Sequence, residues 1–278
     1  MIHYAYLLRK VLSNKLPISA MIVGFNEARF LRSCLESISF CDEIVYTDLG
    51  SIDGSIEIAE SFSARIYKKK RVPYCEIIQS EMVKYLKNDW VIFIDPDEQI
   101  DTTLISEIRT EFRDFVDNEN LGAIVAPWQF YFKNYRLQGT AWGGLNKKYL
   151  LVHKNRFTFE PIAHYGRNLM PTYSVKEIVF NGDRNVLHHY WMNSYRVFIK
   201  KHIRYLKNEG NDQFRHGVRF TFKKLILTPF KEFHYCYFIK KGYKDFLVGL
   251  SLSMFWSFYK TYIACNVFIL QIKKYRNW

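Results

Sequence analysis

Cysteine is scarce in this 278-residue sequence, and the few cysteines present form no recognisable pattern. There are five, an odd number without a CxxC pair: Cys34, Cys41, Cys75, Cys236 and Cys265. Such a scattered set argues against a disulfide framework and a zinc knuckle, and it favours reduced thiols in the cytosol. Residues 1–17 also lack the long apolar run and small-residue cleavage site of a secretory signal, so we expect none.

Acidic residues are scarce in the last third of the chain. Residues 190–278 contain 17 Lys and Arg but only 4 Asp and Glu, a balance of +13, whereas residues 1–189 contain 23 of each. Aromatic residues concentrate in the same region, which holds 23 of the 49 in the chain. We therefore expect a neutral body followed by a basic, aromatic region.

The sequence also lacks internal repeats and low-complexity linkers, and its neutral body alternates between strand and helix patterns. Short apolar runs predict four strands, at 18–23, 43–47, 64–67 and 90–94. Apolar residues at helical spacing predict helices between them, and we expect Asn26 to cap the first helix. This alternation implies parallel strands with right-handed crossovers, and such sheets bind ligands at the carboxyl ends of their strands.

Polar and acidic side chains follow three of the predicted strands. They come after the first, second and fourth strands in this order: Asn26 and Glu27, then Asp48, then Asp95 and Asp97. Because carboxylates concentrated at one sheet edge repel one another, they indicate a cation that offsets their charge. Carboxylate oxygens suit Mg²⁺ or Mn²⁺, with water and substrate phosphates as further ligands. The alternative is that these residues only cap the next helix, near 102–108.

Three stretches between residues 18 and 101 are similar to the family 2 glycosyltransferases. They are IVGFNEARFLRSCLESI, CDEIVYTDLGSIDGS and NDWVIFIDPDEQI, which carry the family's NE pair, D-x-G-S-x-D-G turn and D-x-D sequence in order. Three later stretches resemble the branch that includes lipopolysaccharide-core glucosyltransferases: PWQFYFKNYRLQGTAWGG, HYWMNSYRVFIKKHIRYLKNEG and KKGYKDFLVGL. The resemblance implies a GT-A fold, which is an α/β domain with a mostly parallel, Rossmann-like sheet and flanking helices.

The same resemblance implies inverting transfer of a sugar from a nucleoside-diphosphate sugar, with a UDP-sugar favoured. The implied nucleotide-sugar ligands are Asn26, Glu27, Asp48, Asp53 and Asp95. The implied ligands of a divalent cation, Mg²⁺ or Mn²⁺, are Asp95 and Asp97, with His189 as a further candidate. Such a cation stabilises the charge that the leaving diphosphate gains. The alternative for His189 is a structural role among neighbouring aromatic residues.

The general base is where the sequence departs from the family pattern. Family members often carry a His-Glu pair where this sequence has FEPIAHYG, in which His164 matches and Tyr165 replaces the glutamate. Their aspartate after the GGW turn is also missing, and Lys147 and Lys148 occupy that stretch. Because an acceptor hydroxyl must lose its proton, a base is still needed. We expect Asp97, Glu98 and Glu160 in the catalytic centre, and the identity of the base stays open. The candidates for the base are Glu98 and Glu160, followed by His164 and Asp183.

Residues 190–278 predict a helical region that associates with a membrane surface. Apolar residues from Tyr195 to Leu206 form a helical stripe between basic residues, which suits an interfacial helix on anionic lipid. Residues 246–270 are long enough to span a bilayer, but Lys260 would cost about 2.5 kcal/mol or more in its core. We therefore expect an in-plane, peripheral helix on the cytoplasmic side of the membrane.

Two alternatives to membrane association are an ordinary solvated face and a nucleic-acid-binding face. Lysine and arginine between aromatic residues can bind a nucleic-acid strand, because the rings stack on bases while the cations meet phosphates. Contacts with phosphates do not require so much apolar surface, so we do not expect this region to bind nucleic acid.

The sequence therefore predicts two domains, a catalytic domain at residues 1–189 and a membrane-associating helical region at residues 190–278. The leading hypothesis is transfer to a hydroxyl of a lipid-linked or lipopolysaccharide-type surface-glycan acceptor. A second hypothesis is transfer to a polyprenyl phosphate, whose anionic oxygen needs no base. A non-enzymatic hypothesis is a membrane-binding scaffold with a decayed catalytic domain, which the intact Asp48, Asp95 and Asp97 disfavour.

Overall fold

The computed structural model describes residues 15–116, 118–162, 166–182 and 184–276. Within these ranges the chain forms two compact units. The first unit comprises residues up to 128 together with 147–189, and the second comprises 129–146 together with 190 onwards. The second unit thus adds residues 129–146 to the segment that begins at 190. The catalytic and membrane-associating roles of the two predicted segments stay predictions.

Twelve strands and seven α-helices make up the described chain. The strands are β1 (Leu16–Gly24), β2 (Cys41–Asp48), β3 (Arg65–Lys68), β4 (Trp90–Phe93), β5 (Glu98–Ile100), β6 (Leu121–Phe132), β7 (Tyr135–Arg136), β8 (Leu145–His153), β9 (Phe157–Phe159), β10 (Arg167–Leu169), β11 (Ser174–Glu177) and β12 (Leu187–Met192). The helices are α1 (Ala28–Ser37), α2 (Ser55–Ser61), α3 (Glu76–Met82), α4 (Thr102–Phe115), α5 (Tyr195–Arg215), α6 (Phe222–His234) and α7 (Phe246–Arg276). The four predicted strands correspond to β1 to β4.

The main sheet has the strand order β3-β2-β1-β4-β8-β6-β12-β5, and β7 and β11 also pair with β6. Strand β1 runs parallel to both β2 and β4, and β2 runs parallel to β3, which confirms the predicted parallel pairing. Strand β8 runs antiparallel to β4, and β12 runs antiparallel to β5. Strands β6, β8 and β12 each continue from the first unit into the second.

The core of the first unit lies on both faces of the parallel strands. Ile18, Ala20 and Ile22 of β1 belong to one buried cluster, which includes the inner face of α1. Met21 of the same strand belongs to a second buried cluster with Phe93 of β4. Because side chains alternate along a strand, two covered faces require a continuous apolar run, as the sequence has.

Asn26 does not cap the first helix, contrary to our prediction. Its backbone has a φ of 57°, which is left-handed, and its side-chain Oδ1 accepts a hydrogen bond from Ile52 N at 2.9 Å. Helix α1 begins at Ala28, after Glu27. The left-handed backbone turns the Asn26 amide towards the neighbouring loop, so the residue joins two loops instead of closing the helix.

Helix α4 has a capping residue of its own. The Asp101 side chain accepts from Thr103 N at 2.8 Å. The cap is therefore Asp101, and capping gives no account of Asp95 and Asp97, which was the alternative to a cation site.

The second unit is mainly helical, with α5 and α6 packed on α7. Leu206 of α5 shares a buried cluster with Tyr259, Ile263 and Val267 of α7. The predicted stripe of α5 is buried only in part, because Phe198, His202 and Leu206 are covered while Ile199 and Ile203 are 43% and 50% exposed. Among the helices of the described ranges, none combines the length and apolar character needed to cross a bilayer.

Candidate active site

The loops that follow β1, β2 and β4 lie at one edge of the sheet and carry the predicted polar residues. Strand β1 lies between the other two, with Gly24 opposite Asp48 and Met21 opposite Phe93. Asp48 ends β2, and Asp95 comes two residues after β4. Because neighbouring strands are about 4.8 Å apart, Asp48 and Asp95 lie about two strand spacings, or ~10 Å, from each other along this edge.

Asn26 and Asp53 join the loop after β1 to the loop after β2. Asn26 N donates to Ser51 Oγ at 2.9 Å, in addition to the bond that its side chain accepts. Asp53 Oδ2 accepts from Ala28 N at 3.0 Å, and Asp53 Oδ1 accepts from Ser55 Oγ at 2.5 Å. Partial burial by itself would raise the pKa of the Asp53 carboxyl, but these hydrogen bonds lower it below its ordinary value.

The buried carboxylate of Asp48 closes the turn that follows β2. Its Oδ2 accepts from Gly50 N at 2.9 Å and from Ser51 N at 3.1 Å. Gly50 has a φ of 92°, a conformation that glycine adopts at low cost. Asp48 therefore shapes the turn, and its contact with a nucleotide base stays a prediction.

Asp95, Asp97 and His189 come together although His189 is distant in sequence. Each offers one ligand atom, and these atoms lie within 4.8 Å of one another. His189 Nε2 is 3.4 Å from Asp97 Oδ1. Strand pairing produces this arrangement, because β12 carries His189 alongside β5, which begins directly after Asp97. Two carboxylates and an imidazole form a donor set that fits a divalent cation.

Glu98, predicted as a candidate base, has a fully buried side chain. Its Oε2 accepts from Asp95 N at 2.9 Å and also pairs with the ammonium group of Lys148. Burial raises the pKa of the Glu98 carboxyl, against the opposing effect of Lys148. Because the side chain does not reach solvent, its position favours a supporting role over proton abstraction, although the catalytic prediction stays open.

Trp128 and Lys148 are two site residues that the sequence reasoning missed. The Trp128 ring stacks on the His189 ring, with centroids 5.3 Å apart and planes 7° apart. Lys148 Nζ lies 5.2 Å from the centroid of the same Trp128 ring. The available signal was the lysine pair in a stretch where family members place an aspartate, but a sequence alone does not show which lysine turns inward.

Of the other candidate bases, Glu160 is the one that the structure describes. Glu160 is exposed directly after β9, and its backbone N–H donates to the Gly166 carbonyl at 2.7 Å. No described contact joins its carboxylate to Asp97 or His189. His164 and Asp183 lie outside the described residues. The identity of the base stays a prediction.

Several known proteins are similar to this chain. "Lipopolysaccharide core biosynthesis glycosyltransferase LpsC" of Rhizobium meliloti (strain 1021) is 27% identical over 259 residues, or 91% of this chain and 93% of LpsC. An uncharacterized glycosyltransferase of Rickettsia bellii (strain RML369-C) is 34% identical over 97 residues, or 34% of this chain and 32% of that protein. The solved glucosyl-3-phosphoglycerate synthase from Mycobacterium tuberculosis, in complex with Mg²⁺ and UDP, has a TM-score of 0.41 at 15% identity, covering 66% of this chain and 74% of that chain.

A family model gives the decisive match. The model described as "Glycosyl transferase family 2" matches residues 19–179, which is more than half of the chain. The matched segment contains the parallel strands and all three polar loops, so the family and the α/β fold were predicted correctly. This chain belongs to glycosyl transferase family 2 and is a glycosyltransferase.

Proposed function

We propose that this enzyme transfers a sugar, with inversion, from a nucleoside-diphosphate sugar to a hydroxyl of a lipid-linked or lipopolysaccharide-type acceptor. One observation carries the proposal: the ligand atoms of Asp95, Asp97 and His189 lie within 4.8 Å of one another, at the carboxyl ends of the parallel strands, where open α/β sheets generally bind ligands. The similarity to LpsC, whose name assigns it to lipopolysaccharide core biosynthesis, supports the class of acceptor.

Asp95, Asp97 and His189 would hold the divalent cation, Mg²⁺ or Mn²⁺. When bound, the cation supplies positive charge for the diphosphate that leaves as the sugar bond breaks. The chain's own contribution is to fix three donors before substrate arrives, since preorganised charge costs no reorganisation during the reaction. An imidazole beside two carboxylates suits Mn²⁺ at least as well as Mg²⁺.

The loops joined by Asn26 and Asp53 would form the nucleotide side of the site. Their side chains bond backbone groups of the facing loop, and these bonds hold the loop after β1 against the loop that follows Asp48. We assign the contact with the base, uracil in the favoured donor, to the Asp48 turn, with Glu27 nearby. The resemblance of the Asn-Glu pair and the Asp-rich turn to the family pattern supports this assignment.

Transfer to a polyprenyl phosphate is the second candidate for the reaction. The burial of Glu98 favours it, because a phosphate acceptor is already anionic and needs no base. The two candidates separate in one assay, in which a labelled sugar nucleotide is offered with either polyprenyl phosphate or a hydroxyl-bearing glycolipid. Label in the glycolipid alone supports the leading proposal, and label in the polyprenyl phosphate alone supports the second.

We also propose that the second unit docks on an anionic membrane surface. Large apolar side chains on α6, the following turn and the first half of α7 are each at least half exposed: Phe222, Ile226, Leu227, Phe230, Phe238, Ile239, Phe246, Leu247, Met254 and Phe258. Exposed lysines lie among them: Lys223, Lys224, Lys231, Lys240, Lys241 and Lys244. We call these two sets the docking surface. Apolar side chains bordered by lysines suit the interface of an anionic bilayer.

Acidic residues are few in the part of the chain that carries the docking surface. Residues 216–276 contain two, Glu232 and Asp245. Glu232 Oε2 accepts from Trp256 Nε1 at 2.9 Å, and Asp245 is buried and accepts from two backbone N–H groups. Both carboxylates make contacts within the unit, and the six lysines of the docking surface outnumber them.

Calorimetry with UDP in the presence and absence of Mn²⁺ tests the enzymatic proposal. For Asp97→Asn we expect the Mn²⁺-dependent part of UDP affinity to fall at least about tenfold, because one charged ligand is lost. Asp114→Asn, at an exposed position of α4, is the matched control and should behave as wild type. Unchanged Mn²⁺-dependent affinity in Asp97→Asn, with a folded protein, would overturn the assignment of the cation site.

A further inference from the structure

Glu98 lies next to the proposed cation ligands but is enclosed on all sides. We infer that Glu98 is a positioning residue, whose carboxylate orients the His189 ring so that Nε2 is presented to the cation. The inference rests on the cation site of the proposed function. It gives Glu98 a role in holding another residue, where the sequence suggested proton abstraction.

The pairing of β5 with β12 places the two side chains on one face of the sheet. His189 is directly opposite Glu98 in this antiparallel pair, and Leu187 is opposite Ile100. Directly opposed residues have Cβ atoms about 4.5–5.5 Å apart, so their side chains are neighbours. Leu187 and Ile100 both belong to the main buried cluster, which fixes the register because a slip of one residue would expose them.

The two nitrogens of the His189 ring face two different carboxylates. Nε2 is 3.4 Å from Asp97 Oδ1, and Nδ1 is 4.0 Å from Glu98 Oε1. Stacking on Trp128 at 5.3 Å fixes the plane of the ring, so the ring keeps both directions. A shift of about 1 Å brings Nδ1 within hydrogen-bond distance of Oε1, and contacts of this kind tighten when the ligand binds.

The two oxygens of the Glu98 carboxylate have different surroundings: Oε2 is held by two donors, whereas Oε1 faces His189. Oε2 bonds Asp95 N and the Lys148 ammonium group. Oε1 is buried and has no hydrogen-bond partner within the described part of the chain. A buried carboxylate oxygen is stabilised by a donor, and Nδ1–H of His189 is the donor that faces it.

With a cation held beside Asp97, this arrangement would select one tautomer of the neutral ring. With the proton on Nδ1, directed at Glu98, Nε2 carries the lone pair towards Asp97 and the cation. Histidine ligands of metals generally donate their second ring N–H to a carboxylate or carbonyl, and loss of that partner weakens metal affinity about 10–100-fold. Glu98 also bonds the backbone of Asp95, so a single carboxylate contacts two of the three proposed ligands.

The tautomer of His189 provides a readout that is independent of any metal. Asp97→Ala removes the nearer carboxylate, which competes for the proton at Nε2 when no cation is bound. In metal-free Asp97→Ala protein labelled with ¹⁵N-histidine, at about pH 8.5, two units above the ordinary histidine value, we expect Nδ1 to be the protonated nitrogen. His189→Gln identifies the resonances. In Glu98→Gln the side-chain amide can donate to Nδ1, so we expect the proton to move to Nε2. Glu98→Gln is therefore compared in the same Asp97→Ala background, where no carboxylate beside Nε2 can attract the proton.

Binding of Mn²⁺, followed by electron paramagnetic resonance of the free ion, provides the second readout. We expect Glu98→Gln to bind Mn²⁺ at least about tenfold more weakly than wild type. Glu81→Gln, on an exposed part of α3, is the matched control for loss of one carboxylate. If Glu98→Gln does not fold with Lys148 buried opposite a neutral group, the double variant Glu98→Gln/Lys148→Met removes that charge and carries the same test.

The outcomes separate this inference from the proposed function. If wild type binds no Mn²⁺, the proposed cation site is wrong, and the positioning role falls with it. If wild type binds Mn²⁺ while the Glu98 variants keep wild-type affinity and the Nδ1–H tautomer, only the positioning role is overturned. Weaker Mn²⁺ binding without a change of tautomer would mean that Glu98 acts through its charge, and this also overturns the inference.

Discussion

The Asp245 carboxylate holds the backbone of Gly139, with Asp245 Oδ2 2.7 Å from Gly139 N. Its other oxygen accepts from Gln138 N at 2.8 Å. A Cβ atom at position 139 would lie 2.1 Å from the Lys241 carbonyl oxygen, so the two chain segments touch backbone to backbone. Two stretches that resemble the family pattern, QGTAWGG and KKGYKDFLVGL, are thus packed on each other within the second unit.

Asp245→Ala should destabilise the second unit by about 1–3 kcal/mol, because one buried and one partly buried N–H group lose their acceptor. Asp245→Asn should lose less, since its amide oxygen can still accept one of the two bonds. Urea unfolding followed by circular dichroism measures both. Asp114→Ala on the exposed side of α4 should change the free energy of unfolding by no more than about 0.5 kcal/mol. Equal stabilities for Asp245→Ala and wild type would contradict the role of this contact.

Gly139→Ala should be more destabilising than Gly182→Ala. At Gly139 the added methyl group meets the Lys241 carbonyl, which is backbone and cannot rotate away. Gly182 has a φ of 105° and open space around it, so alanine there adds only backbone strain, about 1–2 kcal/mol. Thermal unfolding of the two variants compares steric overlap with strain. A smaller loss for Gly139→Ala would show that the two segments separate easily.

Membrane docking should depend on both charge and apolar area. Lys240→Glu/Lys244→Glu should weaken binding to anionic liposomes by about 2 kcal/mol or more, roughly 30-fold, because each basic residue contributes about 1 kcal/mol near such a surface. Flotation in low salt measures the bound fraction. The reversal Lys84→Glu/Arg113→Glu, in the first unit, makes the same change of net charge and should leave flotation intact.

The apolar contribution has its own pair of variants. Phe230→Ser/Leu247→Ser removes side chains that are 73% and 80% exposed, and it should reduce flotation even at salt concentrations that screen charge. Tyr85→Ser/Val179→Ser removes exposed apolar side chains of the first unit and should have no effect. If Lys240→Glu/Lys244→Glu and Phe230→Ser/Leu247→Ser both float like their first-unit controls, the docking surface has been assigned wrongly.

His153 should make the stability of the first unit depend on pH. Its ring packs edge-on against Trp90 at 5.2 Å, and burial, with the nearby Arg156, lowers its pKa. A lowered pKa in the folded protein means that the unfolded chain takes up the proton first. The stabilising contribution is therefore present above about pH 6.5, the ordinary histidine value, and is lost as the pH falls through the folded pKa.

Unfolding measurements at several pH values test this dependence. The free energy of unfolding of wild type should fall from pH 7.5 to pH 5, and His153→Gln should fall by less over the same interval. His234→Gln, at an exposed position, should follow wild type. Parallel curves for His153→Gln and wild type would assign the pH dependence to other groups.

Sequence periodicity predicted the strands and the first helix near the site correctly. It failed for a helix cap and for a helical stripe, where the local backbone conformation or the packing of helices decided the structure. The four strands and the inward face of α1 follow from local apolar spacing, which depends only on the geometry of strand and helix. Asn26 was expected to cap α1, but its left-handed backbone directs its amide to the next loop. Ile199 and Ile203 match the helical stripe of α5 and are nevertheless exposed, since α7 covers only one side of it.

The sequence by itself determined the parallel α/β fold, the family, and the set of acidic residues at the ends of three strands, because these depend on spacing along the chain. Only the tertiary structure decided which residues meet there. The pairing of β12 with β5 brought His189 to Asp97 and Glu98, and Lys148 of β8 turned inward to the buried Glu98 carboxylate. That register is set by distant residues sharing one core, and such long-range packing leaves no local pattern in the sequence.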